Sequence, residues 1–322
     1  MFFLLAPLTL LIERLLGYPN ALVARIGHPV IWMGRLLDWL EQRLNTGPGR
    51  RARGIYALLA LLLVTAAITV PLAFALRQIP FGLGVLIEAL LASTLLAQKA
   101  LADAVRAVAV ALRRSLAEGR AAVSHIVGRD PDQLDEAGVA RAGIESLAES
   151  TSDGVVAPLI FLLIGGLPGI ALYKAVNTAD SMIGHRTERY NDFGWASAKL
   201  DDLLNYVPAR LTALLIAGAA FLKRDAQPEA AWSTALADAK KHESPNAGWP
   251  EAAFAGALGF RLGGPRSYDG EVIDLPAFGT GRADLAPADI DTALGLYRVA
   301  MNLLLALTAV LALLGWRLTV AG

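Results

Sequence analysis

Carboxylates, amides and basic side chains crowd into three short stretches of an otherwise apolar chain. The first is Arg141 to Gly154, RAGIESLAESTSDG, where Glu145 and Glu149 stand four positions apart and Asp153 follows. On a helix, Glu145 and Glu149 share one face, and like charges at that spacing repel. A shared cation relieves the repulsion. Mg²⁺ suits such a place because it takes one or two carboxylates and fills its octahedron with water and phosphate oxygens. A solvated polar face accounts for the same pattern without any ligand.

The second stretch is the densest: Asn177 to Asn205, NTADSMIGHRTERYNDFGWASAKLDDLLN. It holds Asp180, His185, Arg186, Glu188, Arg189, Asp192, Lys199, Asp201 and Asp202 between two apolar runs. Asn177, Asp180 and Gly184 fall on one helical face. The Arg residues could take an anionic substrate and the Asp residues a metal. The alternative is a loop whose charges pair with one another. In the third stretch, Asp238 to Glu251 (DAKKHESPNAGWPE), Lys240, Lys241 and His242 precede a turn-forming Ser-Pro-Asn-Ala-Gly run. Phosphate contact is the functional reading and a basic helix end the plain one. No Walker A or GxGxxG pattern occurs. His28 and His125 stand alone and read as surface or satisfied core residues.

The elements that must position these side chains are apolar. Of 322 residues, 55% are hydrophobic and 18% charged, and the mean hydropathy is +0.48. Soluble domains carry about 25% charged residues, so the chain reads as an integral membrane protein. Its 29 Lys+Arg balance 29 Asp+Glu, which leaves no general basic field for nucleic acid. With no Cys, disulfides, Cys-ligated zinc, iron–sulfur clusters and a thiol nucleophile are excluded.

A spanning helix needs about 20 mostly apolar residues. Ile55–Leu76 and Val299–Trp316 meet this without a charge. Met1–Gly17, Leu83–Gln98, Val155–Tyr173 and Pro208–Leu222 are weaker, holding Glu13 and Arg14, Glu88, a Gly-Gly-Leu-Pro-Gly break, and Arg210 respectively. The start lacks the basic stretch and cleavage site of a signal peptide, so an uncleaved first helix is expected. The expected fold is all-α: one polytopic domain over 1–322 with about four to six membrane segments and amphipathic helical loops. Residues 99–127 read as one amphipathic helix, Pro228–His242 and Pro250–Leu262 as helices opened by Pro, and 263–287 as a loop. If all six segments span, alternate connections carry 21 and 6 Lys+Arg. The positive-inside tendency then puts the richer set in the cytoplasm. Val155–Tyr173 could instead dip in and return at its break, since irregular backbone is tolerated at membrane depth when protein covers it.

Longer runs are more specific. GYPN and HPVIWMGR near the start are followed by GIESLAESTSDGVVAPL, then YKAVNTADSMIGHRTERYNDFGWASAKLDDLLNYVPARL, then KHESPNAGWPEAAFAGALGFRLGGP. In these motifs and their order, from about Gly17 to Pro265, the chain closely resembles the CobD/CbiB family, the adenosylcobinamide-phosphate synthases of cobalamin biosynthesis. A Tyr is commoner in that family at His185 and a Pro at Glu243, which weakens the case for these two residues.

The resemblance implies a multi-pass enzyme of the bacterial inner membrane. It would join adenosylcobyric acid to (R)-1-aminopropan-2-ol or its O-phosphate with ATP and Mg²⁺. On that reading Glu145, Glu149, Asp153, Asp180, Asp201 and Asp202 contain the Mg²⁺ ligands. Arg186, Arg189, Lys199, Lys241 and His242 would neutralise phosphate, with Lys199 and Asp180 close to the chemistry. Asp192 would take the ammonium proton, and Asn177, Ser244 and Asn246 would position substrate. No nucleic acid is implied, and association with later membrane enzymes of the pathway is compatible with it. Because ATP is cytoplasmic, a broken or re-entrant 155–173 segment, or a cavity open to the cytoplasm, is favoured over six plain spans. The rivals are an AmpE-like non-enzymatic membrane protein and a corrinoid or anion transporter. The transporter should show matched halves, which the sequence lacks.

Overall fold

The computed structural model describes residues 2–18, 24–25, 27–128, 131–264, 266–268, 271–273 and 275–321. Pro19 and Asn20 of the GYPN motif, and Pro265, lie outside the described residues. The described chain is mostly helical. In order come α1 (Phe2–Leu16), α2 (Pro29–Leu44), α3 (Arg50–Arg77), α4 (Leu83–Ser93), α5 (Gln98–Leu112) and α6 (Leu116–Val123). There follow α7 (Glu136–Thr151), a π turn (Ser152–Val156), α8 (Ala157–Ile183), α9 (Trp195–Leu222), α10 (Pro228–Asp238), α11 (Gly248–Leu258) and α12 (Pro287–Ala321).

Among the described residues five stretches are long and apolar enough to cross a membrane: Arg50–Arg77, Leu83–Leu112, Glu136–Ile183, Trp195–Leu222 and Pro287–Arg317. A polytopic helical membrane protein is the result. α1 has 15 residues, so at ~1.5 Å per residue it is shorter than the ~30 Å hydrocarbon core. The weak 208–222 segment proves to be the end of a 28-residue helix that starts at Trp195. Lys199, Asp201, Asp202 and Asn205 therefore ride on a helix of spanning length.

Backbone contacts group the chain into two compact units. The first comprises residues 1–97, 157–205 and 306–322. Its core joins Leu37 and Leu40 of α2, Ala57, Leu58 and Leu61 of α3, and Ala175, Ala179 and Ile183 of α8, with Phe193 of the α8–α9 loop. The opposite side of α3 exposes Tyr56, Leu63, Ile68 and Phe74, as expected of a face turned to lipid. Two glycines seat the loop. A Cβ on Gly54 would stand 1.8 Å from the Phe193 carbonyl oxygen, and one on Gly194 1.6 Å from that of Ile183. The backbones can approach only because these side chains are absent.

The expected break in 155–173 is present. Gly166 has φ 61° and ψ −149°, a region essentially restricted to glycine, and Pro168 follows. The interrupted helix leaves the Leu167 N–H without its helical acceptor, and the Glu88 carboxylate accepts it at 3.0 Å. Glu88 is buried.

The second unit comprises residues 98–156 and 206–305. Here the single helix expected over 99–127 is two. Ser115 accepts the Glu118 N–H at 3.1 Å, a cap that starts α6 afresh after the turn at 113–115. α5 turns Leu101, Val105, Val108 and Leu112 inward. α10 and α11 form a tight hairpin, with Gly256 so close to the Ala230 carbonyl that a Cβ would stand 2.2 Å from it. α11 opens at Gly248 and stops at Gly259 in the left-handed region, short of the expected Leu262. The expected 263–287 loop contains short antiparallel ladders, Leu262–Gly263 with Ala277–Phe278 and Arg266–Tyr268 with Glu271–Ile273.

Candidate functional site

In the first unit a groove of about 650 Å³ runs between α2 and α8. Arg35 and Asp38 line it from α2, and Lys174, Asn177, Thr178 and Ser181 from α8. Both helices supply polar residues at helical spacing on one face while their other faces enter the core. The floor is set by Gly34, where an added Cβ would press on Met182 Sδ at 3.2 Å.

Behind the groove a chain of hydrogen bonds fixes the α8 side chains. Lys174 Nζ donates to Asn177 Oδ1 at 2.7 Å, and Asn177 Nδ2 donates to Asp201 Oδ1 at 3.4 Å. Asn205 Nδ2 donates to Asp201 Oδ2 at 2.9 Å, and Tyr173 OH donates to Asn205 Oδ1 at 2.8 Å. Tyr173, Asp201 and Asn205 are buried. Asp201 thus has an amide donor on each oxygen and serves to orient Asn177. Thr178 differs: its buried Oγ1 has no hydrogen-bond partner.

The groove carries charges of both signs. Arg35 is exposed and has no ion-pair partner among the described residues. Asp38 accepts from Gln42 at 3.1 Å. His28 caps α2 by accepting the Val30 N–H at 3.2 Å. Burial, then the nearby Lys174 ammonium, hold its imidazole below the ordinary histidine pKa, which favours the neutral form that such an acceptor requires. Two cations and one carboxylate line the groove, a set that suits a small ligand with an anionic and a cationic end.

The rest of the dense stretch lies around the α8–α9 loop. Arg189 grips Glu41 through Nε–Oε1 at 2.9 Å and Nη2–Oε2 at 2.8 Å. That hydrogen-bonded pairing, with Asn45 as a second donor, holds the Glu41 carboxyl below its ordinary pKa against the opposing effect of burial. Arg186 and Asp192 are exposed on the loop. Asp180 lies over Gly184, where a Cβ would collide with its Oδ1 at 2.0 Å. Lys199 reaches Asp202 at 3.5 Å.

In the second unit the carboxylates of the first stretch diverge. Glu145 is buried and accepts the Gly263 N–H at 2.6 Å. Glu149 is exposed on α7, and half-buried Asp153 sits in the π turn, an irregularity frequent at functional sites. Among the described residues no three His, Asp or Glu side chains gather into a metal-holding group. A Mg²⁺ that keeps its waters and phosphate oxygens needs only one or two carboxylates.

The third stretch builds the start of α11. His242 Nδ1 accepts the Ser244 N–H at 2.9 Å, and its Nε2 stands 3.5 Å from Glu251 Oε1. Ser244 Oγ accepts from Asn246 and Ala247 at 3.2 and 3.3 Å. Lys241 pairs with Asp238 at 2.6 Å. Asn246 is buried, and its Oδ1 accepts from Arg210 Nη1 at 3.3 Å.

The family model described as CobD/Cbib protein matches residues 6–297. The chain belongs to the CobD/Cbib family. Among its relatives, "Cobalamin biosynthesis protein CobD" of Rhodobacter capsulatus is 51% identical over 306 residues, covering 93% of this chain and 95% of the relative. The proteins of that name from Brucella anthropi and Rhizobium meliloti are 47% and 48% identical, covering 96% of both chains and 94% of both chains respectively. No solved structure gives a significant match. The CobD/Cbib match takes in the groove, the helix break and the start of α11. Sequence reasoning had named Asn177 in the groove and passed over Arg35, Asp38, Lys174 and Thr178. Arg35 closes the HPVIWMGR run and Lys174 opens YKAVNTADS, and those runs were the available signal.

Proposed function

We propose that this chain is a cobalamin-biosynthesis enzyme of the inner membrane, an adenosylcobinamide-phosphate synthase that joins adenosylcobyric acid to aminopropanol phosphate with ATP. The observation that carries this reading is the groove, whose lining brings together Arg35, Lys174 and Asp38. A phosphate on the two cations and an ammonium on the carboxylate would place the amine end of the small substrate. The family and the name of its relatives supply the pathway.

A corrin carboxylate is a poor acyl donor, so ATP would transfer its γ-phosphoryl group to one carboxylate oxygen, releasing ADP. The neutral amine would then form the C–N bond while the acyl C–O bond breaks and inorganic phosphate leaves. Mg²⁺ bound by Glu149 and Asp153 would neutralise phosphoryl charge. In this reading Asp192 accepts the ammonium proton. Asn177, fixed through Asp201, orients the amine, and Arg186 and Lys241 offer charge to phosphate.

The test is a reaction with purified protein in detergent, ATP, Mg²⁺, adenosylcobyric acid and aminopropanol phosphate. Adenosylcobinamide phosphate should form with one ADP per amide. Failure across several lipid supplements would overturn the proposal. Replacing the amine phosphate with free aminopropanol shows whether the phosphate is required.

A further inference from the structure

Arg210 lies near the middle of the spanning-length helix Trp195–Leu222, where a charge is costly and tends to mark a site. Its guanidinium lies against two aromatic rings, 3.5 Å from the Tyr206 centroid and 4.7 Å from that of Trp249. Trp249 is backed by Trp232, with ring centroids 6.1 Å apart. The hydrogen bonds all leave from one nitrogen. Nη1 donates to the Tyr206 carbonyl at 2.6 Å and to Asn246 Oδ1 at 3.3 Å.

Both acceptors are neutral. No carboxylate pairs with Arg210 among the described residues, and its Nε and Nη2 hydrogens have no acceptor there. Those two nitrogens form the edge that grips a carboxylate or phosphate with two parallel bonds. Asn246 is itself held, because Ser244 Oγ accepts its N–H at 3.2 Å. A half-buried cation, locked in plane with its bidentate edge open and no internal counter-charge, is prepared for an anion from outside.

We propose that Arg210 anchors an oxyanion site, taking a carboxylate or phosphate group on its Nε–Nη2 edge. Tyr206, Trp249 and Asn246 hold the guanidinium for it. The oxyanion site stands on this geometry alone, and only the choice of ATP and adenosylcobyric acid as soluble probes rests on the reaction proposed above. The oxyanion can belong to a soluble ligand or to a phospholipid headgroup, and the chemistry of recognition is the same.

The experiment uses the full chain in nanodiscs. In the soluble arm, calorimetry measures binding of ATP and of adenosylcobyric acid in phosphatidylcholine discs. In the lipid arm, mass spectrometry measures phosphatidylglycerol retained from mixed discs. Arg210→Gln should lower affinity or retention at least tenfold in one arm, which identifies the source. Arg106→Gln, at an exposed surface ion pair, should change neither. Asn246→Asp supplies an internal carboxylate and should abolish the same binding while the melting temperature holds or rises. A merely structural Arg210 would not produce that pairing of effects. Unchanged binding in both arms for Asn246→Asp and for Arg210→Gln overturns the site. If Arg210→Gln does not fold, Asn246→Asp decides alone.

Discussion

Arg189 and Glu41, 148 positions apart in sequence, meet in a two-bond pairing at 2.9 and 2.8 Å. One end is exposed on the α8–α9 loop and the other is buried on α2. The pairing closes the loop onto the helix that forms one wall of the groove. Because it depresses the Glu41 pKa, its stabilisation is fully present above the ordinary carboxyl value of about 4.5. It is lost as pH falls through the lower folded value. Melting in detergent should therefore fall more steeply with acid in the wild type than in Glu41→Gln. Parallel curves for the two proteins would deny the pairing any energetic role.

The adjacent glycines of the break should respond in opposite ways. Gly166→Ala forces a side chain into φ 61°, ψ −149°, at a cost of about 1–3 kcal/mol. Gly165 has nothing within 4 Å of an added Cβ, and Ala is favoured over Gly in helices by about 1 kcal/mol. Gly165→Ala should leave melting unchanged or raise it. A similar loss in both variants would show that the break is misplaced.

Within the groove, Thr178→Val removes a buried hydroxyl that has no internal partner. Stability should hold or improve, since no protein hydrogen bond is lost. If the hydroxyl serves the substrate, the KM for the amine should rise about tenfold with kcat little changed. Lys174→Ala should raise the same KM by more. An unaltered KM in both variants would remove the amine from this groove.

For the proposed metal ligands, Glu149→Gln and Asp153→Asn should each lower turnover about 100-fold and increase the Mg²⁺ concentration needed for half-maximal rate. Expression should be intact, because neither side chain is fully buried. Wild-type rates and Mg²⁺ dependence in both would defeat the assignment.

The sequence made the helices and their interruptions readable. Gly-Gly-Leu-Pro-Gly announced the break because backbone preference is local, and the long apolar runs announced the spans. Ser115-Leu-Ala-Glu118 was also readable as a cap and was passed over, merging two helices. Pairing was harder. Nothing near Arg189 points to Glu41, and nothing near Asp201 shows that its oxygens meet Asn177 and Asn205. Such partners follow from how helices pack, and a helical repeat does not encode them. The groove was hidden for the same reason, since its walls come from motifs roughly 140 residues apart.

The Glu88–Leu167 contact bears on the transporter alternative. A helix restarted in mid-membrane presents a partial positive charge of about half an electron at its new N-terminus. Many transporters aim that end at an anionic cargo. Here the Glu88 carboxylate already occupies it, at 3.0 Å. The restarted helix is electrically closed from within, so this break resembles a transporter's in shape while offering a passing anion no vacant dipole.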